Sequence, residues 1–162
     1  MKHTLSVLVE NKSGVLARIA GLFSGRGFNI DSLTVGVTHD PEISRMTIVV
    51  TGDDSVLEQV NKQLNKLIDI IKVQDFPTGT YVGTELILAK VYASSKNRSE
   101  IIQIVDIFEG KIRDVSEKSM IIEATGETDK IESLISLLTP FGIKEIARTG
   151  KAALSKKCDM MK

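Results

Sequence analysis

Thr4 to Val9 is rich in apolar positions (Leu5, Val7, Leu8, Val9), which predicts a strand. Polar Glu10-Asn11-Lys12-Ser13-Gly14 breaks it. Val15, Leu16, Ile19, Leu22 and Phe23 then recur at helical spacing and predict an amphipathic helix over about Gly14 to Gly25. Gly25-Arg26-Gly27 ends that helix with a glycine available for a left-handed C-terminal position. Phe28, Ile30, Leu33, Val35 and Val37 predict a second strand, with an irregularity near Asp31-Ser32. His39-Asp40-Pro41-Glu42 reads as a turn. Met46, Ile48, Val49 and Val50 form a third strand, so continuously apolar that it is expected to be buried on both faces or at an interface. Ser55 and Glu58 have capping-box spacing and open a helix with Val56, Leu57, Val60, Leu64, Leu67 and Ile68 on its buried stripe. Ile70 to Val73 is a fourth strand.

Strand, helix, strand, strand, helix, strand is the split βαβ, or ferredoxin-like, order. Pro77-Thr78-Gly79-Thr80 is a turn-rich break, after which the order repeats. Glu85 to Ala93 is a strand, Asn97 to Phe108 a helix with Asn97 and Glu100 at capping spacing, Lys111 to Val115 and Met120 to Thr125 two strands, Thr128 to Leu138 a helix, and Ile143 to Ala147 a last strand. The expected fold class is therefore α+β, two βαββαβ domains in tandem. The first spans residues 1–76, a linker 77–83, the second domain 84–150, and a basic tail 151–162 that is expected to be loosely ordered. Small domains are marginally stable alone, and such a sheet has two open edges, so an oligomer is expected.

Composition narrows the function. Lys plus Arg and Asp plus Glu are 21 each among 162 residues, and the two parts are equally balanced: 1–76 carries 8 basic and 9 acidic side chains, 77–162 carries 13 and 12. That argues against a general polyanion binder, while leaving room for a local basic patch. Absence of Trp and 4% aromatics leave no stacking platform for single-stranded nucleic acid. One cysteine, Cys158, excludes an internal disulfide, and two histidines, His3 and His39, leave little for a metal site or a His-activated nucleophile. No apolar run is long enough to span a membrane, and the N-terminus runs straight into strand pattern, so a soluble, cytoplasmic protein is expected. Dinucleotide fingerprint, P-loop, H-E-x-x-H, C-x-x-C and nucleophile elbow are all missing. A binding or regulatory module fits better than an enzyme.

The informative segment is Asn11-Lys12-Ser13-Gly14-Val15-Leu16. A loop between the first strand and the first helix exposes unpaired N–H groups at a helix N-terminus, where carboxylates bind well. Gly14 lets a ligand approach the backbone. The spacing is equally met by a purely structural loop in which Asn11 makes a turn bond, Ser13 caps the helix and Gly14 relieves the turn. Residues 84–150 have no Asn-x-x-Gly loop.

Asn11-x-x-Gly14-x-Leu16, Arg18-Ile19-Ala20-Gly21-Leu22-Phe23 and Arg26-Gly27-Phe28-Asn29-Ile30 resemble the ACT domain, a module that binds small ligands, often amino acids. Gly27 to Val35, Ser44-Arg45-Met46-Thr47-Ile48 and Glu145-x-Ala147-Arg148-Thr149-Gly150 resemble, more narrowly, the small regulatory subunits of acetolactate synthases. The resemblance implies a non-catalytic partner of a large subunit that carries thiamine diphosphate, magnesium and FAD, with no cofactor in this chain. It implies activation of that subunit, feedback inhibition by valine, and a homodimer of ACT domains with valine at their interface. Matched motif by motif, Asn11, Gly14, Val15 and Leu16 line that site from one chain, and Asn29 and Ile30 from the other. No catalytic residue and no metal ligand is expected.

Overall fold

The structure, a computed structural model, describes residues 1–157; Cys158 and the rest of the tail lie outside the described residues. It divides into two units, Met1–Val82 with the segment from Lys151 onward, and Gly83–Gly150.

The first unit contains β1 (Lys2–Glu10), α1 (Val15–Ser24), β2 (Ile30–Val37), β3 (Ile43–Thr51), α2 (Asp54–Leu64) and β4 (Ile70–Asp75). Its sheet has the order β2-β3-β1-β4, antiparallel throughout. Leu5, Val7 and Val9 of β1 alternate onto the same face as Met46, Ile48 and Val50 of β3. There they meet Val15, Ile19 and Phe23 of α1 and Val60 and Leu64 of α2, which forms the core. The apolarity of β3 reflects its place inside the sheet, between β1 and β2, with Thr47 and Val49 on the other face also buried. The open edges are β2 and β4. The irregularity at Asp31-Ser32 is a bulge: the register with β3 shifts between Ile30 and Ser32.

The cap of α2 differs from the expected capping box. Asp53, in an extended conformation, accepts a hydrogen bond from the Val56 N–H, so the helix starts at Asp54 and Ser55 lies inside it. The Ser55 hydroxyl donates to Asp53, and Glu58 pairs with Lys62 one turn on. An acidic side chain two residues earlier takes the cap position that Ser55 was expected to hold.

The second unit contains most of β5 (Tyr81–Tyr92), then α3 (Arg98–Ile107), β6 (Lys111–Val115), β7 (Ser119–Gly126), α4 (Thr128–Leu138), a 3-10 turn at Thr139–Phe141, and β8 (Ile143–Arg148). Strand order is β6-β7-β5-β8, the arrangement of the first unit repeated. Ile87, Ala89 and Val91 pack with Ile101, Val105, Ile131 and Leu134 in a core of its own. Asn97 precedes α3 but makes no side-chain cap; its Oδ1 accepts instead from the Ser94 N–H and hydroxyl. Ala147-Arg148-Thr149-Gly150 locks β8 to β5. Arg148 pairs with the buried Glu85 at 2.9 Å and with Glu132 at 2.8 Å, and Thr149 Oγ1 accepts from the Leu86 N–H.

Two expected boundaries need correcting. The linker is shorter than 77–83: Thr80 turns back on Pro77 through its N–H and hydroxyl, and β5 begins at Tyr81, whose ring stacks on Phe76. The described part of the tail is not loose. Ala152–Ser155 forms β9, which pairs with β5 and buries Ala153. The Lys151 N–H donates to Ser32 Oγ, and the Lys156 N–H to the Thr80 carbonyl. Ala152 to Ser155 is too short and too weakly alternating a pattern to predict a strand.

Candidate functional site

The β1–α1 loop is anchored at Asn11 and leads into an α1 terminus without a side-chain cap. Asn11 donates its backbone N–H to the Glu42 carbonyl at 2.6 Å and its Nδ2 to the Pro41 carbonyl at 2.8 Å, so the loop is stapled to the β2–β3 turn. Gly14 occupies the left-handed region, φ 84°, where a side chain is strained although a Cβ would meet only the Arg18 guanidinium, at 3.5 Å. No side chain caps α1, so Ser13 does not play the structural role that its position allowed. The Val15 N–H donates to the Lys12 carbonyl at 3.4 Å, and the first bond of the helical ladder is Arg18 N–H to Gly14 carbonyl. No acidic residue lies in the first turn. The N–H groups of Leu16 and Ala17 thus stand at the positive end of an uncompensated dipole.

The six predicted site residues differ in what they can offer. Val15 is 3% exposed and its side chain belongs to the core, so only its backbone can face a ligand. Leu16, 44% exposed, presents an apolar side chain to the surface. Asn11, Gly14 and Asn29 are exposed and Ile30 is half-buried. Beside Asn11 lies an open groove of about 500 Å³, lined by Lys12, Asp40, Glu42, Ile43 and Ile71. Glu10 sits 2.6 Å from the Lys12 ammonium and raises its pKa above the ordinary lysine value. Arg18 of α1 pairs with Asp69 at 2.8 Å, and the Asp69 carbonyl accepts from the Glu10 N–H, a brace behind the loop that the residue pattern alone did not reveal.

Within one chain these residues do not converge. The ladder sets up two rows across the sheet: His3–Val50–Ile30 at one end and Val9–Ser44–Val37 at the other. Asn29 precedes the first row and Asn11 follows the second. Ile30 and Val37 are seven residues apart on β2, or about 23 Å. A site using both the Gly14 loop and Asn29 needs two chains. Antiparallel pairing of two β2 edges would bring the start of one strand beside the end of the other, where the Gly14 loop stands.

Among the described residues no group of three or more His, Cys, Asp or Glu could hold a metal ion, and no helix is long and apolar enough to cross a membrane.

A βαββαβ unit with an uncapped, glycine-led first loop, followed by a second unit of the same topology, defines a two-domain protein of the ACT class. Residues 5–72 match the family described as AHAS small subunit-like ACT domain, and residues 84–157 match the family described as small subunit of acetolactate synthase. The chain is 58% identical over 154 residues to the probable acetolactate synthase small subunit of Archaeoglobus fulgidus, covering 95% of this chain and 96% of that protein. It is 55% identical over 157 residues to the acetolactate synthase small subunit of Aquifex aeolicus, covering 96% and 82%. The crystal structure of the acetolactate synthase small subunit from Thermotoga maritima superposes with a TM-score of 0.89 at 45% identity, covering 97% of this chain and 98% of that one. This chain belongs to the acetolactate synthase small-subunit family.

Proposed function

We propose that this chain is the non-catalytic, regulatory subunit of an acetolactate synthase, which activates a large catalytic subunit in the cytoplasm and makes it sensitive to valine. The thiamine diphosphate, magnesium and FAD belong to that large subunit in this reading. The observation that supports it best is the separation of Gly14 and Asn29 to opposite ends of one sheet. A ligand held by both must bridge two chains, so its binding is linked to a quaternary equilibrium.

The dimer forms through β2. From Ser32 to Val37 this edge has no charge and no proline, and Val35 and Val37 are 42% and 56% exposed. Such an edge invites pairing. Valine is a zwitterion with a short branched side chain. Its carboxylate takes the N–H groups at the start of α1. Its ammonium takes amide oxygens of Asn11 or the partner's Asn29 and backbone carbonyls, with no opposing charge buried. Leu16 and the partner's Ile30 supply the apolar wall. One methylene more or less changes such binding by about 1 to 3 kcal/mol, so leucine and isoleucine compete weakly.

The test is reconstitution with a large subunit of the family. The chain alone makes no acetolactate; added to the large subunit it raises the rate, and valine lowers it again. Synthesis by the pure chain alone, or a rate unaffected by the chain, overturns the reading.

A further inference from the structure

The bulge in β2 has chemistry that the effector site as described does not use. Asp31 is the residue pushed out of register, between Ile30, which pairs with Val50, and Ser32, which pairs with Val49. Its two carboxylate oxygens are both engaged. Oδ1 accepts from Asn29 Nδ2 at 2.8 Å, and Oδ2 accepts from the Thr51 hydroxyl at 2.5 Å. Thr51 ends β3, the strand that supports β2, so the carboxylate is anchored to the interior of the sheet and in turn holds the amide of Asn29. With Nδ2 committed to Asp31, the Asn29 side chain is oriented, and its Oδ1 is the atom left to accept from a ligand ammonium.

We propose that Asp31 and Thr51 are positioning residues for the effector site: the pair fixes the orientation of Asn29, which the partner chain's loop then uses. This rests on the two-chain effector site proposed above. All three side chains are exposed, so their bonds compete with water and add little to stability. Their effect falls on ligand binding, where the angle of one amide decides whether a bond forms. A hydrogen bond to a charged group is worth enough to change affinity by about tenfold or more.

The experiment uses the full chain reconstituted with a large subunit. Thr51→Val removes the hydroxyl at constant shape, Thr51→Ser keeps it, Asp31→Ala removes the carboxylate, and Asn29→Ala is the control on the site itself. The valine concentration for half inhibition, the maximal activation without valine, and the melting temperature are read for each. Thr51→Val and Asp31→Ala should raise the half-inhibition concentration about tenfold, with activation and melting temperature unchanged, and Thr51→Ser should return it to within about twofold of the parent. Wild-type sensitivity in Thr51→Val and Asp31→Ala, together with loss of sensitivity in Asn29→Ala, overturns the positioning role. A parallel loss of activation and melting temperature in Thr51→Val does so too, by making the role merely structural. Wild-type sensitivity in Asn29→Ala instead removes the effector-site reading on which the proposal rests.

Discussion

The two units share one topology and use it in opposite ways. In both, the first loop is stapled to the first hairpin: Asn11 to the carbonyls of Pro41 and Glu42, and Arg98 to those of Ser116 and Glu117. Beyond that they diverge. The α1 terminus has no side-chain cap and no acid in its first turn, whereas α3 has Glu100 at its third position, where a carboxylate satisfies the dipole and repels an anion. The loop before α3 also closes on itself through Asn97 and Ser94. The edges differ in the same sense. Both β2 and β6 carry a register shift, so charge makes the difference: β2 is uncharged from Ser32 to Val37, while β6 carries Lys111, Arg113 and Asp114 and β8 carries Lys144, Glu145 and Arg148. Charge is one way sheets refuse partners. The first unit therefore lacks both an acid in the turn after its first loop and charge along the end of β2, and the second unit has both an acid there and charged edges.

Four tests press on that contrast. The cores are separate, so the largest effect should be local. Leu64→Ala and Leu134→Ala each leave a cavity at a fully buried leucine, and each should cost about 2 to 5 kcal/mol. Calorimetric melting should lower a transition of the first unit in one case and of the second in the other. One transition shifted equally by both would make the units a single cooperative body.

Giving β2 the character of β6 should come next. Val35→Lys with Val37→Lys places like charges along the exposed edge, and sedimentation velocity should then find monomers at concentrations where the parent chain is dimeric. An unchanged dimer would move the interface off this edge.

Giving α1 the acid of α3 is a smaller change with a sharper reading. Ala17 is exposed and holds the position in α1 that Glu100 holds in α3. Ala17→Glu should weaken valine by about tenfold, since a helix-terminal charge is worth up to about 2 kcal/mol in favourable geometry, and should leave activation intact. Isothermal titration of valine reads it, and an unchanged affinity would take the carboxylate away from this terminus.

The smallest effect is that of pH. Ser55 and the Val56 N–H hold the Asp53 carboxyl below its ordinary range, Lys62 does so for Glu58, and Arg113 for Glu123. Depressed carboxyl values contribute stability above the ordinary carboxylate range, and it is lost as pH falls through the lowered values. The melting temperature should be flat near neutrality and decline modestly below about pH 4 in both units. A decline that starts near pH 6 would point to a histidine.

Much of this was legible from residue pattern. Element order, the Asp31-Ser32 irregularity and the bounds of α4 follow from periodicity and turn residues alone, because each buried stripe faces one core. What was not legible depended on contacts far apart in the chain. The apolar run Met46 to Val50 looks the same whether a strand is covered by another chain or, as on its core face, by helices of its own unit. β9 is four residues long, and only its partners Ser32, Thr80 and β5, far upstream, reveal it. Asp53, Asp54 and Ser55 are three cap-type residues in a row, and only the bond from Val56 picks out Asp53. At the proposed site, Asn11, Gly14 and Asn29 are named by the resemblance alone, and the brace from Arg18 to Asp69 and the anchor from Thr51 to Asp31 join segments that no local spacing connects.

The central claim is that the effector site takes the Gly14 loop from one chain and Asn29 from another. Complementation tests it directly. Gly14→Asp sets a carboxylate against that of the ligand and strains the backbone; Asn29→His removes the amide and fills the space. Each variant alone should bind no valine by calorimetry. When the two are mixed and allowed to exchange chains, every heterodimer regains one intact site and carries one doubly altered site. The mixture should then bind about one valine for every four chains, with near-parental affinity. A mixture that binds no more than its separate components would contradict the account, because it would place both residues in a site built by a single chain.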